Sequence, residues 1–401
     1  MDEAGERINV QISTQELERR WKAVRTTMGQ EGIDILLMQN RDQFLGGYVK
    51  WFTDIPAFNG YPTTVVFPRE EEMTVINVGP RMDQESSLTD LSTKGWAYRG
   101  VKNRWTAPYF PSLHYSSTYD AELVVALLKP IKGGVLGLIA PGHIPAPFYK
   151  YLRERLTGFS FVNATDMVDN IKAVKSEEEI ELIKKTASLQ DKAMDTALRE
   201  VKPGVRDSEI MALVQYSVQK MGSEQQLIMA GSAPMGNPSP MLKRHFMNRR
   251  MSDGDQFTLM IEVSGPGGLY TELGRICVLG KASDELVEAF ETAKQAQQLT
   301  LELIKPGADP RDLVAANNEF LRSRGLPEEK RLYAHGQGYD LVERPAFRED
   351  ETMKLMANMN ITVHPIVASR RVFAWVCDNY LVTDTGVSEC LHKTPKKIFE
   401  L

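Results

Sequence analysis

The sequence predicts an α/β protein with a small N-terminal domain, residues 1–165, and a larger, internally duplicated domain, residues 166–401. One observation behind this prediction is that helix-type and strand-type hydrophobic patterns alternate along the first part of the chain. Another is a short sequence that recurs at two helix ends in the second part. The third is composition: 401 residues, 42% hydrophobic and 25% charged, suit a globular protein large enough for two domains.

The first domain begins with a helical pattern over residues 15–29, whose apolar positions lie on one face. The apolar run at residues 34–38 that follows it predicts a strand. Helix followed by strand, repeated, indicates an α/β layer. Further strands are predicted over residues 63–67, 73–78 and 134–139, and further helices over residues 120–128 and 147–156.

The second domain opens on a helix start. Ser176 and Glu179 have the spacing of a capping box, and the following helix is expected to end at Lys202-Pro203-Gly204. The same Lys-Pro-Gly sequence recurs at residues 305–307, and an Asp able to cap a second helix follows each copy, Asp207 and Asp309. Two copies predict duplicated α/β units that share a central sheet, although Lys-Pro-Gly is also a common helix stop.

Charge and composition exclude several classes of function. The formal net charge is −5 and no long Lys/Arg block occurs, so nucleic acid and anionic membranes are not expected partners. The N-terminal residues lack the apolar core of a signal peptide, and no apolar stretch reaches about eighteen residues, which predicts a cytoplasmic protein. Cys277, Cys377 and Cys390 form no CxxC pair and are expected to be free thiols.

The segment His335-Gly336-Gln337-Gly338 is the strongest candidate for a site, because a histidine between small residues can be presented from a closely approached backbone. Strand-like segments upstream carry Glu262 and Glu272, and a downstream strand ends at His364. A histidine near a carboxylate can act as a general base. Convergence of these four residues is therefore expected.

These motifs, in this order, resemble the creatinase, prolidase and aminopeptidase P superfamily over about residues 170–386. The resemblance implies a pita-bread fold for the second domain and, in layout only, a creatinase-like first domain. It also implies a homodimer that acts on a small molecule. The segments that carry the resemblance are residues 175–180, Gly254-Asp255, residues 268–275, residues 335–338 and Leu381-Val382-Thr383.

In the metallopeptidases of that superfamily, two aspartates, a histidine and two glutamates hold a pair of divalent ions. The resemblance places Glu262 and Glu272 at the aspartates, His335 at the histidine, and His364 and Cys377 at the glutamates. An imidazole cannot bridge two cations as a carboxylate does, so the paired centre is not expected. A metal-free site like that of creatinase is expected. The alternative is one zinc or iron ion bound among these five residues.

Further residues complete the predicted site. The resemblance implies that His245 is a substrate-side catalytic histidine, the alternative being a surface loop. Arg371, beside Arg370, is predicted to clamp a substrate carboxylate unless its loop is simply solvated. The many aromatic residues of the first domain are expected to lie either in its core or over the pocket of a partner subunit. The remaining predicted substrate-binding residues are Tyr270, Cys377, Asp378, Trp51 and Trp105.

Three functions therefore remain open. The first is a creatinase-like hydrolase that cleaves a C–N bond of a small polar molecule. The second is a single-metal enzyme, either an Xaa-Pro peptidase or a lyase similar to those that cleave dimethylsulfoniopropionate. The third is a binding protein without activity. Because Glu, Glu, His and Cys are all chemically competent replacements, an enzyme is favoured, and hydrolysis of a C–N bond is the expected reaction.

Overall fold

A computed structural model describes residues 10–40, 42–81, 98–242 and 246–401. The chain divides into two units, one formed by Gln11–Lys172 and a larger one that contains Ala173–Leu401. Within these described ranges, no helix is both long and apolar enough to cross a membrane.

The N-terminal unit is built on a six-stranded mixed sheet in the order β4-β3-β2-β1-β5-β6. Strand β1 pairs antiparallel with β2 and parallel with β5. The strands are β1 (Ile35–Asn40), β2 (Thr63–Pro68), β3 (Met73–Val78), β4 (Val101–Ala107), β5 (Gly134–Leu138) and β6 (Phe159–Asn163). The helices are α1 (Thr14–Glu31), α2 (Gly47–Thr53), α3 (Tyr119–Leu128), α4 (Ala146–Arg155) and α5 (Thr165–Lys172).

The predicted elements of this unit are confirmed, and the structure adds four that the pattern did not indicate, namely α2, β4, β6 and α5. Strand β4 is mostly half-buried and carries charged and amide side chains, so it lacks the apolar run that marks β1. Helix α2 has only seven residues, too few for a helical period to be recognised.

The larger unit contains two four-stranded sheets, in the orders β16-β9-β8-β7 and β11-β10-β12-β15, and a β13-β14 pair. Its helices are α6 (Glu177–Glu200), α7 (Asp207–Lys220), α8 (Asp284–Leu303) and α9 (Pro310–Ser323). Its strands are β7 (Gln225–Pro234), β8 (Asp255–Ser264), β9 (Tyr270–Val278), β10 (Ala334–Gly336), β11 (Glu343–Ala346), β12 (Asn360–Val363), β13 (Ile366–Ala368), β14 (Phe373–Trp375), β15 (Asp378–Leu381) and β16 (Phe399–Glu400).

The predicted duplication appears as two successive units of helix, helix and a mainly antiparallel sheet. Both bonds of the capping box between Ser176 and Glu179 are formed at the start of α6. Asp309 caps α9 as predicted, whereas Asp207 is the first residue of α7 and Arg206 precedes it as the cap. The two four-stranded sheets meet where the Gly274 N–H donates to the Cys377 carbonyl at 3.1 Å. This junction brings the strands of both halves together.

Gly274 lies at this junction, and a methyl group there would overlap the ring of the fully buried Trp375. We expect Gly274→Ala to lower the free energy of unfolding by about 1–3 kcal/mol, because neither the ring nor the sheet can move aside without strain. The matched control is Gly386→Ala in the same unit, whose added methyl group would make only an ordinary contact with the Ile304 carbonyl. Urea unfolding of both variants measures the difference, and equal losses would contradict the close approach.

Candidate active site

The candidate site is assembled from strands of both sheets. Glu262 on β8 and Glu272 on β9 are directly opposite in the antiparallel register, which puts both side chains on one face. His335 lies on β10, and His364 follows β12, where its N–H donates to the Tyr333 carbonyl at 2.7 Å. Pairing of β10 with β12 therefore brings the two histidines to one place.

Glu272, His335 and His364 form a tight cluster in which one donor atom from each lies within 4.8 Å of the others. His364 Nε2 is 4.0 Å from Glu272 Oε2, and the two imidazole rings meet edge to face with centroids 5.2 Å apart. All three residues are buried. The structure therefore brings together three of the predicted residues, with a nitrogen or oxygen atom of each close to those of the other two.

Burial keeps both imidazoles neutral near pH 7. It lowers the pKa of His335 to about 4, and it lowers the pKa of His364 well below the usual range, with further contributions from His335 and Arg331. His335 Nδ1 lies 2.9 Å from the Gly336 carbonyl, which can only accept, so Nδ1 carries the hydrogen and Nε2 has a free lone pair. Among the described residues, His364 Nε2 has no hydrogen-bond partner.

The two carboxylates are also strongly perturbed. Burial and then the neighbouring Glu272 raise the pKa of Glu262 well above its usual value, against a hydrogen bond from Gln337. Burial raises the pKa of Glu272 to about 7, although hydrogen bonds from Cys377 and Thr362 lower it in part. A carboxyl group that retains its proton near neutrality, beside a neutral imidazole, is a possible acid and base pair.

Cys377 lies against the same cluster. Its Sγ is 3.4 Å from Thr362 Oγ1 and 3.5 Å from the backbone oxygen of Glu272. Burial, and next the charge of Glu272, raise the pKa of this thiol well above its usual value. The position therefore holds a neutral thiol, which is a weak donor for a hard cation.

Two amides that the sequence analysis did not select complete the wall of the site. Gln337 is fully buried and donates from Nε2 to Glu262 Oε1 at 2.7 Å. Asn379 donates from Nδ2 to Gln337 Oε1 at 2.8 Å and accepts the Glu272 N–H at 2.7 Å. The position of Gln337 inside the glycine motif was a signal for it, whereas no local pattern marked Asn379.

Asp378, a predicted substrate-binding residue, has its carboxylate bound by other side chains of the protein. It is fully buried, and Arg275 donates to its Oδ1 at 2.7 Å. Lys396 and His392 lie 3.6 Å and 3.7 Å from its two oxygens. Asp378, Cys390 and His392 lie close enough to group around a metal. However, Arg275 and Lys396 already neutralise the Asp378 carboxylate, and both His392 nitrogens have hydrogen-bond partners. This second cluster is structural.

Two predicted substrate-binding residues differ in exposure, since Tyr270 is buried and Arg371 is exposed. Tyr270 is fully buried, donates to Gln225 Oε1 at 2.7 Å, and has its pKa raised by burial and then by the nearby Glu262. Arg371 donates to Glu285 at 2.8 Å with 69% of its side chain exposed. This geometry is that of the solvated loop and not of a clamp on the Glu272 cluster.

Of the two predicted N-terminal aromatics, Trp51 is buried in its own unit and Trp105 is half-buried. Trp51 is 1% exposed, lies edge-on to Phe52 at 5.1 Å, and has the Arg20 guanidinium 5.3 Å from its ring centre. Trp105 is partly buried against the core of the sheet. Trp51 is therefore enclosed in its own unit, and its role in covering a substrate stays a prediction. His245 lies outside the described residues.

Comparison with known proteins agrees with this arrangement. Residues 181–384, just over half of the chain, match metallopeptidase family M24. An Xaa-Pro dipeptidase from Pyrococcus furiosus is 25% identical over 324 residues, which cover 78% of this chain and 91% of that protein. An uncharacterized hydrolase/peptidase from Sinorhizobium fredii is 24% identical over 398 residues and covers 96% of both chains.

Solved structures show the same fold. The X-Pro aminopeptidase from Thermotoga maritima superposes with a TM-score of 0.77 at 19% identity, covering 95% of this chain and 99% of that one. The prolidase from Pyrococcus horikoshii gives a TM-score of 0.74 at 19% identity, with coverages of 95% and 99%. The predicted pita-bread superfamily and, at the level of the family, the predicted hydrolysis of C–N bonds are confirmed. The chain belongs to metallopeptidase family M24.

Proposed function

We propose that this protein hydrolyses a C–N bond in a small polar substrate without the pair of divalent ions held by metallopeptidases of its family. The observation that carries this proposal is the chemistry of the five ligand positions, where a histidine and a cysteine stand in place of two carboxylates. Support for a C–N bond comes from relatives that are Xaa-Pro dipeptidases. The buried cluster, each member 9% exposed or less, suits a small substrate.

The residues do not fit a pair of cations. Two adjacent divalent ions need bridging carboxylates to offset their mutual repulsion, and His364 cannot bridge. Glu262 Oε1 already accepts the Gln337 amide at 2.7 Å, and Cys377 offers a single sulfur atom where a carboxylate would offer two oxygens. Among these five positions, Glu272 and the Oε2 atom of Glu262 would be the carboxylate groups left to serve two ions. A paired metal centre therefore has no part in the proposed reaction.

Proton transfer within the cluster accounts for hydrolysis. Water adds to the carbon of the C–N bond while a neutral imidazole, His335 or His364, accepts its proton. The bond then breaks, and the nitrogen leaves with a proton from the Glu272 carboxyl group. His364 Nε2 lies 4.0 Å from Glu272 Oε2, close enough for one water or one substrate atom to link them. Glu262 lies directly opposite, and burial raises the pKa of the Glu272 acid to about 7.

A second candidate uses one divalent ion. Glu272, His335 and His364 fit a single ion, since each offers a donor within 4.8 Å of the others and His364 Nε2 has no partner among the described residues. Imidazole with carboxylate suits zinc or iron. When bound, such an ion would polarise the scissile group or a water molecule. Glu262 and Gln337 would then line the site without contributing to the metal.

Metal content separates these candidates. The protein is purified without added metal or chelator, analysed for bound elements, and assayed before and after dialysis against EDTA. The substrates are dipeptides that end in proline, creatine, and small amides. We expect less than one equivalent of any transition metal per chain and turnover that survives dialysis, because the proton-transfer groups belong to the protein.

Other outcomes have definite meanings. One equivalent of metal per chain, with activity lost on dialysis and restored by zinc, iron or manganese, would select the single-ion candidate. Two equivalents per chain would overturn the proposal. Absence of turnover on every substrate in the panel would remove the support for a hydrolase of small C–N compounds.

A further inference from the structure

We propose that Asn379 and Gln337 form a directional amide relay that positions the Glu262 carboxyl group in the site. The relay runs from the backbone N–H of Glu272, through both side-chain amides, to Glu262 Oε1. Its bonds measure 2.7, 2.8 and 2.7 Å in that order. It therefore connects the two opposed glutamates through neutral groups, and it makes Gln337 and Asn379 positioning residues.

The direction of the relay follows from its first bond. A backbone N–H can only donate, so the Asn379 atom that faces Glu272 N must be the oxygen. The Asn379 nitrogen then faces Gln337 and must meet the Gln337 oxygen. As a result the Gln337 nitrogen faces Glu262 as a donor. No other assignment of the two amides satisfies all three bonds.

Surrounding contacts hold the relay in place. The second hydrogen of Asn379 Nδ2 is directed to Asn360 Oδ1 at 3.0 Å, and the Gln337 backbone N–H donates to the Asn360 carbonyl at 2.9 Å. A side chain at Gly336 would come within 2.6 Å of the Arg344 carbonyl, and one at Gly338 would overlap the Glu343 carboxylate. Close packing on both sides of Gln337 thus fixes the backbone from which its amide reaches Glu262.

The relay has a consequence for the chemistry of Glu262. Because Gln337 occupies Oε1, it selects Oε2 as the oxygen that can meet a substrate or a water molecule. A fully buried amide network has few alternative arrangements, since a turned amide would leave a donor or an acceptor unpaired. Glu262 is therefore held in one orientation before substrate arrives, which avoids a reorganisation cost in the reaction.

Two variants break the relay at different bonds. Gln337→Met keeps the length of the side chain and removes the donor to Glu262. Asn379→Asp keeps the acceptor for the Glu272 N–H and replaces the donor to Gln337 with an acceptor, which turns the Gln337 amide and directs its oxygen at Glu262. We expect crystal structures of both variants to show the Glu262 carboxylate displaced from its wild-type orientation. Retention of that orientation in both variants would overturn the relay.

Kinetics supply a second readout, which depends on the proposed function, whereas the crystal structures do not. On whichever panel substrate turns over, both variants are expected to lose at least about tenfold in kcat with KM within about twofold, because orientation and not binding is lost. The double variant is expected to keep the kcat of the less active single variant, since both substitutions break the same relay. Fully additive losses would count against it.

The matched control is Gln256→Met, at a buried glutamine on β8 whose amide donates to the Asn237 carbonyl and, among the described residues, makes no bond to the site. We expect a change in stability with kcat unaltered. If the control lost as much kcat as Gln337→Met, the relay would be a structural feature only. If no substrate turned over, the crystal structures would still decide for or against the relay, so the two failures are distinguishable.

Discussion

Glutamine in place of Glu272 is expected to lower kcat by about 10²–10⁴, the usual contribution of a positioned acid or base. Glu272 is the residue that every route to activity requires, because it is the proton donor in the metal-free reaction and the only carboxylate among the three possible ligands of a single ion. Glutamine keeps the size of the side chain, so the β8 and β9 pairing is preserved. Steady-state kinetics on the panel substrate measure the loss.

Stability separates this loss from damage to the fold. Two glutamates face each other in a buried strand pair, and burial raises the pKa of both. Removing one of them relieves the cost of burying carboxyl groups together, so Glu272→Gln is expected to raise Tm or leave it unchanged. Glu285→Gln, at an exposed position that pairs with Arg371, serves as the control with unaltered kcat. A kcat for Glu272→Gln within threefold of wild type would contradict the site.

Local signals in the sequence account for the elements that were predicted correctly. The capping box at Ser176 and Glu179 lies within four residues, and strand β1 of the N-terminal sheet carries a continuous apolar run. His335 and His364 were recognisable because short motifs surround them. Their convergence was a weaker inference, which depended on the order of several motifs along the chain.

Partners that lie far apart in the sequence explain what could not be predicted. Asp378 stands beside Cys377, and this proximity suggested a place in the pocket. Its partner Arg275 is 103 residues away, and the pairing exists only because β9 meets the segment that leads into β15. The relay through Asn379 and Gln337 spans 42 residues for the same reason. The spacing of hydrophobic residues along the sequence carries no information about such polar pairs.

Arg275→Met is expected to lower the free energy of unfolding by about 3–5 kcal/mol, because it leaves a buried aspartate without its main counterion. Arg275 and Asp378 are both fully buried, and the guanidinium donates to Asp378 Oδ1 at 2.7 Å. It also donates to the carbonyls of Gly274, Cys377, Thr394 and Pro395. The substitution therefore unties the C-terminal segment from the junction of the two sheets as well. Urea unfolding measures the loss.

Two further variants test the cause. Arg275→Met combined with Asp378→Asn should recover part of the stability, since the aspartate no longer needs a counterion. Arg371→Met, which removes an exposed pair, should change stability little. Burial alone would raise the pKa of Asp378, but Arg275, Lys396 and His392 outweigh it and hold the pKa below the usual range. The contribution of the pair is thus present above the unfolded-state pKa of aspartate and is lost as pH falls through the lowered folded-state value. The deficit of Arg275→Met should shrink in acid, and a deficit that was equal at pH 7 and in strong acid would show that the ion pair is not its source.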